Sequence, residues 1–171
     1  MLKRSLVALL LLLSSAAGLA ETRDVQGFFD QNLGDFKAEL ETARKAGKNG
    51  ILLMFELEDC PFCHRMRETI LNQSEVQDYY RKHFLVFSVD LNGDNPLVDF
   101  SGKETTEKKF GAEQRVRATP VFAFYDLNGR QITRFTGAAK DVGEFMLLGR
   151  YVVDGAWKSV PFAKYKKQVV K

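Results

Sequence analysis

The chain has 171 residues, 45% of them hydrophobic, with 25 Lys and Arg set against 22 Asp and Glu. Nothing in that near-balance points to nucleic acid or a membrane surface, and the length is that of one domain with a sizeable core.

The first twenty residues read as a signal peptide rather than as part of a fold. Lys3 and Arg4 charge its start, Leu6 to Leu13 form an apolar stretch, and Gly18-Leu19-Ala20 is a small-residue cleavage site. The apolar stretch is too short for a transmembrane helix, so no stable membrane insertion is expected. No cysteine follows it, which disfavours a lipid anchor. Cleavage after Ala20 removes Lys3 and Arg4 and leaves 151 residues, 23 basic against 22 acidic, a net charge of +1. The expected location is therefore the periplasm.

Residues 21–34 read as a lead-in whose Phe28 and Phe29 pack onto the edge of the domain. From Asp35 to Lys48 helix formers dominate, with Phe36, Leu40 and Ala43 on one face, and Gly47 and Gly50 ending the helix. Ile51-Leu52-Leu53-Met54-Phe55 is a short apolar run of the kind that forms a fully buried strand.

Cys60-Pro61-Phe62-Cys63 follows and holds both cysteines of the chain. Met66, Ile70 and Leu71 then fall on one helical face. Pro61 suits a first helical turn, where its missing N–H is not needed. Cys60 is thereby placed at an N-cap, where free backbone N–H groups and the helix dipole favour a thiolate. Such a thiolate can attack a disulfide, and a second thiol one turn further on can resolve the mixed disulfide. A purely structural bridge is the bland alternative in an exported protein. It closes so short a loop that it removes little chain entropy, which makes stability a poor reason for it.

Ser74-Glu75-Val76-Gln77 looks like a capping box opening a helix through Tyr80. Phe84 to Val89 is a second nearly continuous apolar strand, as parallel central strands tend to be, and strand-helix-strand order implies a right-handed crossover. Asn92 to Glu104 reads as loop with a short ribbon near Val98 to Phe100. Thr105 to Gln114 is polar and helical, anchored by Phe110. Thr119-Pro120 opens a strand over Val121 to Tyr125. Asp126-Leu127-Asn128-Gly129 is a hairpin turn, and Gln131 to Phe135 alternates as an outer antiparallel strand would. Asp141 can cap a last helix with Phe145, Leu148 and Val152 on one face. The tail, 154–171, docks through Trp157 and Phe162 and then frays. The domain proper thus runs over 35–153.

The cysteine motif, with Thr119-Pro120 opening a later strand, resembles a thioredoxin-fold protein: an α/β domain with a central mixed sheet flanked by helices. Phe55-Glu56, Ala118-Thr119-Pro120-Val121-Phe122 and Gly155-Ala156-Trp157 resemble more narrowly the periplasmic SoxW-type thioredoxins. The resemblance implies Cys60 as nucleophile, Cys63 as resolving thiol and a redox-active Cys60–Cys63 disulfide. It also implies support from Pro61 and Phe62, and Pro120 as a cis-proline facing the sulfurs. Thr119 then offers its backbone to an extended client strand. No cofactor is implied. The implied partners are periplasmic protein thiols and disulfides, with a membrane electron carrier as reductant.

Two positions depart from the family. The buried acid usually found six residues before the first cysteine is Met54 here, and the usual Trp before that cysteine is Asp59. Glu56 shares strand parity with Met54 and could stand in through water, but Glu56 and Glu58 read most simply as solvated loop residues. A negative neighbour such as Asp59 opposes thiolate formation, which leaves a reductase, a DsbA-like oxidase and a non-catalytic binding or chaperone role as alternatives. Cys60 to His64 also spells the C-x-x-C-H haem-attachment signature, with Met54, Met146 or His83 as distal ligand. A zinc site would draw on both cysteines, His64 and His83.

Overall fold

The computed structural model describes residues 21–31 and 33–169; the signal-peptide reading of 1–20 lies outside them. The central sheet has the order β2-β1-β5-β6. Its strands are β1 (Gly50–Glu56), β2 (Phe84–Asp90), β5 (Val121–Tyr125) and β6 (Gln131–Thr136). Strand β1 runs parallel to β2 and antiparallel to β5, and β5 pairs antiparallel with β6. A mixed sheet flanked by helices is the thioredoxin fold.

Side chains alternate across the sheet, so each apolar run serves both faces. Leu52, Met54, Val86, Phe122 and Phe124 point into one core with Tyr80, Phe145, Leu148 and both cysteines. Ile51, Leu53, Phe55, Phe87, Ala123 and Tyr125 point into the other with Phe36, Leu40 and Phe110. Each such side chain, fully buried, is worth about 1.5–3 kcal/mol of transfer free energy, which is why runs with no polar interruption settle in the middle of the sheet.

Helix α1 (Phe36–Lys45) is shorter than its composition suggests. The Asp35 side chain caps it by accepting from Ala38 N–H at 2.8 Å, and Gly47 leaves helical space with φ +66°. Helix α2 (Pro61–Met66) runs on into a π-helical turn, Arg67–Leu71, and then α3 (Ser74–His83). The expected capping box is not formed. Gln73 occupies the N-cap without a side-chain cap, and Gln77 turns inward to donate to the carbonyls of Asp24 and Leu71 at 2.9 and 3.0 Å. The lead-in explains this. It folds against the start of α3, and Phe28 lies fully buried in the core rather than at its edge.

The ribbon falls two residues earlier than expected, as β3 (Pro96–Val98) paired with β4 (Glu104–Thr106). Helix α4 (Glu107–Glu113) starts only after Thr106, which caps it, and buries Phe110 as anticipated. Asp141 caps α5 (Val142–Val153) by accepting from Glu144 N–H at 2.8 Å. The tail is more ordered than composition implies. It forms a last helix, α6 (Phe162–Val169), with Phe162 and Tyr165 against Tyr151. Among the described residues no helix is long and apolar enough to cross a membrane.

Candidate active site

Cys60 is the N-cap of α2, with Pro61 in the first turn. The two cysteines form a disulfide, their Cα atoms 5.2 Å apart, and Cys63 N–H donates to Cys60 Sγ at 3.1 Å. Cys60 is 6% exposed and Cys63 1%. The outer cysteine is therefore buried in the disulfide form rather than exposed, although it remains the more accessible of the two. Phe62, between them, is 60% exposed.

The cysteine helix is pinned from both ends. His64 Nε2–H donates to the Glu58 carbonyl at 2.7 Å. Arg65 donates to the Ala139 carbonyl at 2.6 Å, and Ala139 N–H donates to Met66 Sδ at 3.3 Å. These contacts tie α2 to the segment that follows β6.

The Thr119–Pro120 peptide bond is cis. Val121 is the register partner of Phe55, so residues 119 and 120 enter the sheet beside the end of β1, at the same end as the cysteines. The Pro120 carbonyl accepts from Gly137 N–H at 2.8 Å. Thr119 is half-buried and makes no hydrogen bond among the described residues.

Glu56 corrects the expectation of a solvated loop residue. It is the last residue of β1, and its side chain is only 13% exposed. Arg67 Nε donates to its Oε2 at 2.9 Å. Arg67 Nη2 and the Ser88 hydroxyl both donate to Oε1. The Arg67 guanidinium stacks 4.5 Å from the centre of the Phe29 ring. A pocket of about 350 Å³ beside Cys63 is lined by Cys63, His64, Glu56, Glu58, Arg67 and Asp90. Glu58 itself is exposed, as expected. Arg67 and Ser88 carry no local sequence signal; the pairing joins residues 11 apart, across the cysteine loop and α2, to a serine on the neighbouring strand.

The groups named for metal or haem chemistry are dispersed. His83 ends α3 beside Asn49, its Nδ1 3.1 Å from Asn49 Oδ1, at the opposite end of β1 from the cysteines, where Gly50 pairs with Phe84. Burial, then Lys82 and Lys48, lower its pKa below the ordinary imidazole value. Met54 is fully buried within β1, and Met146 lies on α5. Among the described residues no three His, Cys, Asp or Glu side chains are grouped to hold a metal ion.

Residues 36–152 match the thioredoxin-like domain family. The chain belongs to that family. A cysteine pair at its active-site position makes it a thioredoxin-like thiol–disulfide oxidoreductase. Among solved structures it is similar to a thioredoxin-fold protein from Helicobacter pylori, at 18% identity and a TM-score of 0.64, covering 85% of this chain and 95% of that one. It is similar to the DsbH oxidoreductase at 18% identity and a TM-score of 0.58, covering 83% and 92%. A thioredoxin from Thermus thermophilus matches at 24% identity and a TM-score of 0.54, covering 70% and 84%. At these identities the likeness is one of fold. The sequence matches none of the curated proteins.

Proposed function

We propose that this thioredoxin-like protein is a periplasmic disulfide reductase, exported by a signal peptide at residues 1–20 and related to the SoxW-type thioredoxins. The observation that carries the reading is the Cys60–Cys63 disulfide at the start of α2, at the same sheet end as the cis Thr119–Pro120 bond. In the dithiol form, Cys60 attacks a client disulfide and one client sulfur leaves as thiolate. Cys63 then attacks the Cys60 sulfur, the second client thiolate leaves, and the Cys60–Cys63 disulfide is regenerated. Two electrons pass to the client. A membrane dithiol carrier restores the reduced form.

Asp59 supports the reducing direction. It is exposed and directly precedes Cys60, and a negative neighbour disfavours the thiolate on which the reduced form's stability depends. The Cys63 N–H aimed at Cys60 Sγ favours that thiolate instead and supports the oxidase alternative. Equilibration of the pair with a glutathione or dithiothreitol redox buffer decides between them. A reductase is expected nearer the about −270 mV of thioredoxin, and a value near the about −120 mV of DsbA would overturn that direction.

A further inference from the structure

The outer edge of β2 is covered near Val86 and bare at Ser88. Parallel pairing turns every second backbone unit of β2 toward β1, as where Leu91 N–H, just past the strand, donates to the Glu56 carbonyl at 3.0 Å. Val86, of the opposite parity, faces outward. Its carbonyl accepts from Asp30 N–H at 2.7 Å, and its N–H donates to Asp30 Oδ2 at 2.8 Å. Ser88 shares that outward parity. Its hydroxyl donates to Glu56, while its backbone N–H and C=O have no partner among the described residues. A pocket of about 320 Å³ lies beside Ser88, between Leu33, Asn95, Pro96, Leu97 and Glu107.

Glu107, the first residue of α4, is 8% exposed. Its Oε1 accepts from Asp90 N–H at 3.4 Å and its Oε2 from Asn95 Nδ2 at 2.8 Å, both neutral donors. Gly93 packs so closely on it that a Cβ there would lie 2.3 Å from Oε2. None of the ion pairs among the described residues includes it. A carboxylate has about four acceptor sites, and burying its charge is costly unless the charge is paired. Glu107 thus brings unused acceptor capacity and an unbalanced charge to the wall of a cavity.

We propose that this pocket binds an organic cation, an alkylammonium or alkylguanidinium group, whose charge pairs with Glu107. Such a group carries only donors, which suits the carboxylate and the outward Ser88 carbonyl. Its alkyl stem suits Leu33, Pro96 and Leu97. Among the described residues no group of His, Cys, Asp and Glu could hold a metal ion, and one carboxylate balances one positive charge. The chemistry is common to a free amine and to a Lys or Arg side chain of a partner protein.

The test titrates pentylammonium, pentylguanidinium and neutral pentanol into the protein. Binding is read by NMR from the Ser88 backbone amide and the Asn95 side-chain amide. The cations are expected to move both signals and to bind about tenfold tighter than pentanol, the discrimination that a hydrogen bond to a charged group supplies. Glu107→Gln keeps an acceptor oxygen, removes the charge, and should reduce both cations to the affinity of pentanol. A peptide with one lysine among neutral residues separates the two sources. Shifts of the same signals by the peptide assign a partner's side chain, and shifts by the free cations alone assign a small amine. Pentanol binding as tightly as the cations, shifts confined to other residues, or no binding of either cation overturns the proposal. Unchanged cation binding by Glu107→Gln does so too. Should that variant fail to fold in a thermal melt, the wild-type comparison of the cations with pentanol decides alone.

Discussion

The Cys63 amide donates to Cys60 Sγ at 3.1 Å, so the helix that carries the inner cysteine turns a backbone N–H toward the outer one. That bond favours negative charge on Cys60 once the disulfide is opened, and gives Cys63 no equivalent donor. The asymmetry divides the work between the sulfurs. Cys63→Ser should keep the attacking thiol and lose the release step, leaving clients covalently attached in non-reducing gels. Cys60→Ser should trap far less, because Cys63 is 1% exposed. Trapping with the reverse preference would overturn the assignment, and trapping by neither variant would favour a binding role. The mass of the trapped partner identifies the client.

Phe62 is one of three large hydrophobic side chains exposed among the described residues. Because it is already in water, Phe62→Ala should change stability by no more than about 0.5 kcal/mol. If the exposed ring meets the client beside Cys60, kcat/KM for a protein disulfide should fall about 5- to 30-fold, the equivalent of 1–2 kcal/mol of lost apolar contact. A small disulfide that cannot reach the ring should react at the wild-type rate. Equal losses with both substrates would show that Phe62 acts on the cysteines themselves rather than on the client.

The parts of this architecture that were legible in sequence are those with local causes. Val121 to Tyr125 forms a strand over those same residues because five apolar side chains serve two buried faces. Asp141 caps α5 because a capping carboxylate needs only the amide three residues on. Gln77 reads as a capping-box residue because that pattern is local, yet its partner carbonyl on Asp24 is 53 residues away. Phe28 reads as an edge residue for the same reason, since nothing near it in sequence announces the rings of Tyr80 and Phe145 that pack against it. At the site, the cysteines and Thr119-Pro120 are written in motifs. Arg67 is not, because its partner Glu56 lies on a different element and is held in turn by Ser88 of the neighbouring strand.

Gly47 carries a conformational cost alone, whereas Gly50, at φ +157°, carries a conformational and a steric one. A Cβ on Gly50 would lie 2.0 Å from the Tyr125 carbonyl oxygen, backbone that the β1–β5 pairing holds in place. A Cβ on Gly47 would meet nothing within 4 Å, but its φ of +66° is left-handed. Gly47→Ala should therefore cost about 1–2 kcal/mol from backbone conformation alone. Gly50→Ala should cost more, about 3 kcal/mol or above, because its φ of +157° is also unfavourable to a side chain and the strands must part besides. Urea midpoints at unchanged slope measure both. Equal costs would mean that β5 yields at Tyr125 more easily than its register implies.

Acid stability depends on the turn between β5 and β6. Burial pushes the Asp126 carboxyl up, but the N–H groups of Arg130 and Asn128 and the Arg130 guanidinium outweigh it and hold its pKa below the ordinary carboxylate value. Its Oδ1 accepts from the Asn128 and Arg130 amides at 2.9 and 3.0 Å, and its Oδ2 from Arg130 Nε and Nη2 at 3.0 and 2.8 Å. A folded-state pKa depressed below the unfolded one means that the unfolded chain binds the proton more readily. The carboxylate's contribution is then complete above the unfolded value of about 3.9, and is lost as pH falls through the lower folded value. Wild-type stability in urea should accordingly hold level down to about pH 4 as far as this group is concerned, and decline below it. Asp126→Asn keeps an acceptor oxygen but cannot titrate. It should be less stable than wild type at neutral pH and lose less on acidification, so that the two curves converge below about pH 4. Parallel curves through that window would show that the turn draws its stability from the backbone bonds alone and not from the charge on Asp126.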